Sequence, residues 1–451
     1  MKKQLARIMG LALGAVSMAC TLSFSLVPNT RVAPMQTEKL PAPIGTFSRT
    51  APPTIAAPTE TPAPTFTNSR TPATPVTLDP ADAPQGDIAF EKGTCCNEDG
   101  VYLVTPKING RGILDFLYGQ VSNPEWSPDG KRIALRLYRW RKVTETTSYW
   151  VDDIAVINRD GGGFKKLTRM EEGDRLWEYT WSPDGRWIAV VRSRMDPNYM
   201  YSDYAVWILK TDGSGTLKKI GDTTNVDAHV EWLPDSKRLA FLEPGGQLVI
   251  ASIETGEART VKPIASADDG YRIFDVSADG TSVVYLDFSE TEYSIRRIDW
   301  EGWISDVEPG EETLYTGVMD RDIKMIVPMA GDLALSPDGG SVVYFLTEPG
   351  KATLQLFAIG SDAPITLAEL TDYSPDLARL GPDDHLIPAS PNWKPGWSSD
   401  GKWIVYATAV SGQGWENGNI YIINGAQALA GTIEPILVAE HGRGPDWQPV
   451  V

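Results

Sequence analysis

Few residues in this 451-residue chain are of the types that do chemistry, and their spacing is uninformative. There are three histidines, His229, His385 and His441, and none falls in a His-Glu-x-x-His or other ligand-spaced pattern. No Gly-x-Ser-x-Gly elbow, phosphate-cradling Gly-Lys-Ser/Thr loop or dinucleotide fingerprint occurs. Two cysteines, Cys95 and Cys96, are adjacent, so they close a strained vicinal disulfide in an oxidising compartment or stand as two thiols. Six aspartates, Asp129, Asp184, Asp235, Asp279, Asp338 and Asp400, form a recurring row. Each lies in or near a Pro-Asp-Gly-like turn, where a carboxylate bonds local backbone, and that role accounts for them without a metal. The reading is a protein that binds and does not catalyse, with no cofactor. The net charge of −18 opposes nucleic acid or an anionic membrane surface as partner.

The elements that position these residues come from a repeat. Pro124-Glu125-Trp126-Ser127-Pro128-Asp129-Gly130 returns as Thr180-Trp181-Ser182-Pro183-Asp184-Gly185 and as Glu231-Trp232-Leu233-Pro234-Asp235-Ser236. Weaker copies follow at 276–280, 335–339 and 396–401. The aspartates lie 55, 51, 44, 59 and 62 residues apart, a blade-sized period. After each turn comes an aliphatic strand, such as Trp187-Ile188-Ala189-Val190-Val191, then a third strand and an Asp-Gly hairpin, as in Asn158-Arg159-Asp160-Gly161. Each repeat is therefore a four-stranded antiparallel sheet, and the fold class is an all-β propeller. Three strands precede the first motif and one Trp-bearing strand, Gly444 to Pro449, follows the last. The C-terminus thus completes the first blade, giving seven blades, with six or eight as alternatives.

Two further segments precede the propeller at 86–451. Residues 1–27 carry Lys2, Lys3 and Arg7 before an apolar stretch, the pattern of an export signal. Ser17-Met18-Ala19-Cys20 resembles the lipobox of bacterial lipoproteins, although Ser17 departs from it. Lipidation at Cys20, cleavage after Ala19 and retention as an anchor all place the remainder outside the cytoplasm. Residues 28–85 hold 13 of the 34 prolines, mixed with Thr and Ala. Such composition makes an extended stalk, reaching up to about 180 Å at roughly 3.1 Å per residue.

The Trp-Ser-Pro-Asp-Gly motif, its aliphatic strand and the Asp-Gly hairpin resemble the TolB-type propeller repeat, which prolyl-peptidase-like enzymes share. TolB carries a folded domain before its propeller where this chain has the stalk, so the resemblance implies the fold and not the envelope role. Some polysaccharide lyases are similar to this propeller and use His and Arg on the funnel with a divalent metal. That likeness makes His229 and His385 catalytic candidates. In such blades the long loops share one face, and Trp140, Tyr149, Trp150, Tyr199, Tyr201 and Trp415 lie in them. Either these aromatics line a ligand site or they pack the loops onto the blades. The expected function is a membrane-tethered binding or scaffold module for protein, peptide or glycan. A carbohydrate-active enzyme and an extracellular sensor are the alternatives.

Overall fold

The computed structural model describes most of residues 84–450. Outside the description lie the N-terminal 83 residues, the segments 93–99, 107–111, 143–147, 196–200, 221–228, 265–273, 301–309, 319–332, 374–393 and 409–417, and a few shorter stretches. The expected signal and stalk fall there, as do Cys20, Cys95, Cys96, Tyr199, His385 and Trp415.

Local turn chemistry starts each blade. Ser127 Oγ donates to Asp129 Oδ1 at 2.6 Å and accepts from the Arg132 amide at 2.9 Å, while Asp129 Oδ1 accepts from the Lys131 amide. Gly130 then leaves the turn at φ +62°, a conformation open to glycine at little cost. A Cβ there would also lie 2.5 Å from the Pro449 carbonyl, so the position is closed to side chains twice over. The Ser–Asp bond repeats at Ser182–Asp184, Ser277–Asp279, Ser336–Asp338 and Ser398–Asp400. In the copy that lacks glycine, Ser236 takes φ +58° and its hydroxyl accepts from the Asp184 amide of the preceding blade. The six aspartates are turn residues, as their sequence context implied.

Seven four-stranded antiparallel sheets result. Blade 1 has the order β28 (Gly442–Trp447), β1 (Ile88–Lys92), β2 (Gly100–Thr105), β3 (Gly112–Tyr118). The innermost strands of blades 2 to 7 are β4 (Val121–Trp126), β8 (Asp174–Trp181), β12 (Val230–Trp232), β16 (Phe274–Val276), β20 (Leu333–Leu335) and β24 (Gly396–Trp397). Each second strand reads as a near-continuous apolar run because both its faces are covered by neighbouring blades. Ile188, Ala189, Val190 and Val191, for example, are all fully buried. Seven apolar clusters fill the seven interfaces between consecutive blades, including one that joins Trp403 and Val405 of blade 7 to Ile88, Phe90 and Trp447 of blade 1.

The ring closes through the C-terminal strand. Ile88 pairs with Trp447 and Ala89 with Asp446. Gln448 exchanges two bonds with Asp87, at 2.9 and 2.8 Å, and its amide nitrogen reaches the Gly130 carbonyl at 2.7 Å. Trp126, Trp181, Trp232 and Trp447 are buried, and Trp397 is half-buried. One short helix, α1 (Gly425–Leu429), interrupts blade 7 with Asn424 as its N-cap. Among the described residues no helix is long and apolar enough to cross a membrane.

Candidate functional site

Every innermost strand pairs on one side only, so its other edge presents main-chain N–H groups toward the channel. A buried unpaired N–H is costly, and the repeat answers it with side chains. Asp446 Oδ2 accepts from the Trp126 amide at 2.6 Å, Glu125 Oε1 from the Trp181 amide at 3.0 Å, and Asp275 Oδ2 from the Leu335 amide at 2.8 Å. In each case a carboxylate of one blade caps the inner edge of the next. Tryptophan indoles return the contact: Trp181, Trp232 and Trp397 donate to the carbonyls of Glu125, Thr180 and Ala334 in the preceding blade.

Blade 4 departs from this pattern. Glu231 holds the position equivalent to Glu125, yet its Oε1 meets Lys394 Nζ, from the start of blade 7, at 2.8 Å. His229 stands beside it, with Nε2 3.6 Å from Glu231 Oε1 and 2.9 Å from the Phe274 carbonyl, and Nδ1 3.1 Å from Glu178 Oε1. Phe274 also packs edge-on against the imidazole at 4.7 Å. A chain of contacts therefore runs Lys394, Glu231, His229, Glu178 and joins blades 7, 4 and 3.

The electrostatics of this cluster are those of a partly dry site. Burial opposes charge on His229, but the Glu178 carboxylate, then Glu231, outweigh it and lift the imidazole to about 9. The ring is thus an imidazolium at neutral pH, donating to Glu178 and to the Phe274 carbonyl. Burial raises Asp275 to about 6 and Asp446 to about 7. Burial, with the nearby Asp446 charge, also lifts Glu125 well above the carboxylate range. Glu231 stays below its ordinary value because Lys394 and His229 outweigh its burial. Side-chain exposure is 9% for His229, 18% for Glu231, 20% for Glu178 and 36% for Lys394, so solvent screens the lysine end most.

A second polar group lies between blades 2 and 3. Asp152, on β6 (Ser148–Asn158), receives Arg136 at 2.8 Å and Arg175 at 3.3 Å, and Asp174 receives Arg192 at 2.7 Å. Both aspartates are fully buried, and Asp152 also accepts from the Leu176 amide.

Of the residues singled out from sequence, His229 stands just before β12, against Glu178 and the Phe274 carbonyl. The loop placement expected for the aromatic set is corrected where it is described: Trp140 pairs with Trp150, and Arg141 with Tyr149, across β5 (Arg132–Lys142) and β6, while Tyr201 opens β10 (Tyr201–Lys210) opposite Met195, so these four aromatics extend strands. Sequence reasoning missed Glu125, Glu178, Glu231, Asp275, Lys394 and Asp446. Part of the signal was present, since the residue before the tryptophan position is acidic in four of the seven copies: 125, 231, 275 and 446.

As a metal centre His229 is unsuited, because both ring nitrogens are already engaged by Glu178 and Phe274. No group of three or more His, Cys, Asp or Glu side chains converges to hold a metal among the described residues.

Fold and channel together define a seven-bladed β-propeller. No protein-family model matches the chain. A stretch of 113 residues is 30% identical to dipeptidyl-peptidase 5 of Porphyromonas endodontalis, covering 24% of this chain and 14% of that protein, so the match spans a small part of the relative's length. Among solved structures, an oligogalacturonate lyase in complex with manganese is 13% identical over 80% of this chain and 90% of its own, with a TM-score of 0.52. The periplasmic gluconolactonase of Pseudomonas aeruginosa is 14% identical over 81% and 99%, with a TM-score of 0.51. TolB of Acinetobacter baumannii is 15% identical over 81% and 67%, with a TM-score of 0.43. At such identities the likeness shows the fold. It also corrects one expectation, that the chain does not catalyse. Two of these similar propellers are enzymes, a lyase and a lactonase, so the missing hydrolase and nucleotide motifs exclude no activity in this fold.

Proposed function

We propose that this chain is an exported propeller that receives a polar ligand, a glycan or a peptide, at the mouth of its central channel. Glu178, His229, Glu231 and Lys394 form its floor. One observation carries the reading: an ion cluster of mixed sign sits in the centre of the ring, where apolar packing would cost less. Perturbed titratable groups gathered in a cleft mark functional sites more often than structural ones. Paired carboxylates and an ammonium suit a ligand rich in hydrogen-bond donors and acceptors. The N-terminal segment supplies export, with Cys20 as the site of a lipid tether; loss of membrane association in Cys20→Ala tests the tether.

The floor is tested with the full chain by calorimetry against a panel of neutral and acidic oligosaccharides and short peptides. Glu231→Gln with Lys394→Met weakens the bound member at least tenfold; unchanged affinity rejects the channel mouth. A second reading, chemistry on an acidic carbohydrate, is favoured by the lyase and lactonase among the similar folds. Incubating the full chain with oligogalacturonate, and separately with an aldonolactone, decides it. Ultraviolet absorbance reports an unsaturated product in the first assay, and acid release reports ring opening in the second.

A further inference from the structure

The channel contains one contact that blade packing does not require. Consecutive blades are already joined by seven apolar clusters, and blades 4 and 7 are not neighbours in the ring. Lys394 nevertheless meets Glu231, 163 residues away in sequence, at 2.8 Å. The contact continues inward, because Glu231 faces His229, and His229 is fixed to Glu178 of blade 3 and to the Phe274 carbonyl of blade 5. At the equivalent position in blades 1, 2 and 5 the carboxylate caps the next blade's N–H, so Glu231 has left that task for the lysine.

We propose that Lys394 and Glu231 form a strap across the channel, which ties opposite sides of the ring and makes its stability depend on the ionisation of the surrounding carboxylates. The charged groups that act on the strap are Glu178 from β8, His229 from blade 4, Asp275 from β16, Asp446 from β28 and Glu125 from β4. At this level β20 presents Ala334 and Leu335, and β24 presents Gly396 and Trp397, none of which titrates. Acids outnumber bases around the channel, and Lys394 is the base that answers Glu231. Burial disfavours the ammonium, yet Glu231, Asp275 and Glu178 hold it charged well beyond the ordinary range. Without it, Glu231 and Glu178 share the single positive charge of His229. A buried carboxylate left without its partner costs more than the pair contributes.

This inference goes beyond the ligand reading, and its test uses no ligand, so either can fail alone. Thermal unfolding of the full chain is followed by tryptophan fluorescence at pH 5 and pH 8. Lys394→Met lowers the midpoint at both, with a loss at pH 8 at least twice that at pH 5, because protonation at low pH relieves the stranded carboxylates. Glu231→Gln combined with Lys394→Met restores at least half of the pH 8 loss. A double variant as unstable as Lys394→Met, or a loss equal at both pH values, overturns the strap. Should Lys394→Met fail to fold, the double variant decides: folding at pH 8 supports the strap and failure overturns it.

Discussion

Asp275 and Asp279 lie four residues apart in one repeat, and they sit in opposite electrostatic states. Asp279 is solvated at the rim turn, where the Ser277 hydroxyl and the Thr281 amide and hydroxyl hold its carboxyl at about 2. Asp275 is enclosed in the channel, where burial lifts it to about 6 against the pull of Lys394. The same spacing separates Asp129 from Glu125: the Ser127 hydroxyl and Lys131 amide overcome modest burial and lower the first, whereas burial raises the second. Both kinds of acid accept main-chain N–H bonds, so the bond itself does not separate them. What differs is the medium: at the rim water solvates the charge, and in the channel neighbouring blades displace part of that water. A turn acid shapes one hairpin, while a channel acid couples two blades.

The broadest way to break this contrast is to remove the seam that closes the ring around the channel. Deleting residues 444–451 takes away Trp447, Asp446 and Gln448 together, leaving the cluster around Phe90 and Val405 open. The expected result is loss of the cooperative transition or a midpoint at least 10 °C lower, on the order of 4 kcal/mol or more, read by calorimetry. His229→Ala is next, because it takes away the partner of Glu178 inside the ring and one of the two cations beside Glu231. A loss of about 3 kcal/mol is expected from denaturant unfolding at pH 5 to 6, shrinking as pH passes about 9, where the imidazole has lost its charge.

The pH profile sharpens the contrast further. Asp275 and Asp446 have folded values above the ordinary 3.8, at about 6 and about 7, so the folded state keeps protons that the unfolded chain has released. Their contribution is present at low pH and is lost as pH rises from about 4 to about 7. His229 acts in the same direction, its contribution being complete below 6.5 and lost as pH passes about 9. Asp279, and Glu311 on the outer strand of blade 5, where Lys262, Tyr285 and Arg296 outweigh its burial, are both at about 2; they contribute above about 4.5 and lose that contribution as pH falls through about 2. Stability therefore peaks at mildly acidic pH, between about 4.5 and 6, and melting curves from pH 2 to 9 check it. Asp446→Asn keeps an acceptor for the Trp126 amide and flattens the alkaline limb. The smallest effect is that of Asp279→Asn, which leaves the alkaline limb intact and flattens the acid limb below pH 4.

Most of the fold was legible because its signals are local. Ser-Pro-Asp-Gly is a turn wherever it stands, since proline presets φ, the serine and aspartate satisfy each other, and glycine accepts the left-handed exit. Six such turns at blade spacing, with an unpaired Trp-bearing strand at the C-terminus, determined the ring and its closure. The site was legible only at His229. Glu231 and Lys394 belong to repeats four and seven, and nothing in either segment marks the other as its partner.

The sequence by itself thus determined the seven blades, the turn role of Asp129 and its equivalents, and the strand that shuts the ring. Tertiary structure alone decided which acids stay solvated, which lose water, and that Glu231 turns from the next blade's amide to a lysine across the channel. The physical reason is range: turns are fixed by bonds within about five residues, whereas desolvation and charge pairing depend on which surfaces the closed ring brings together.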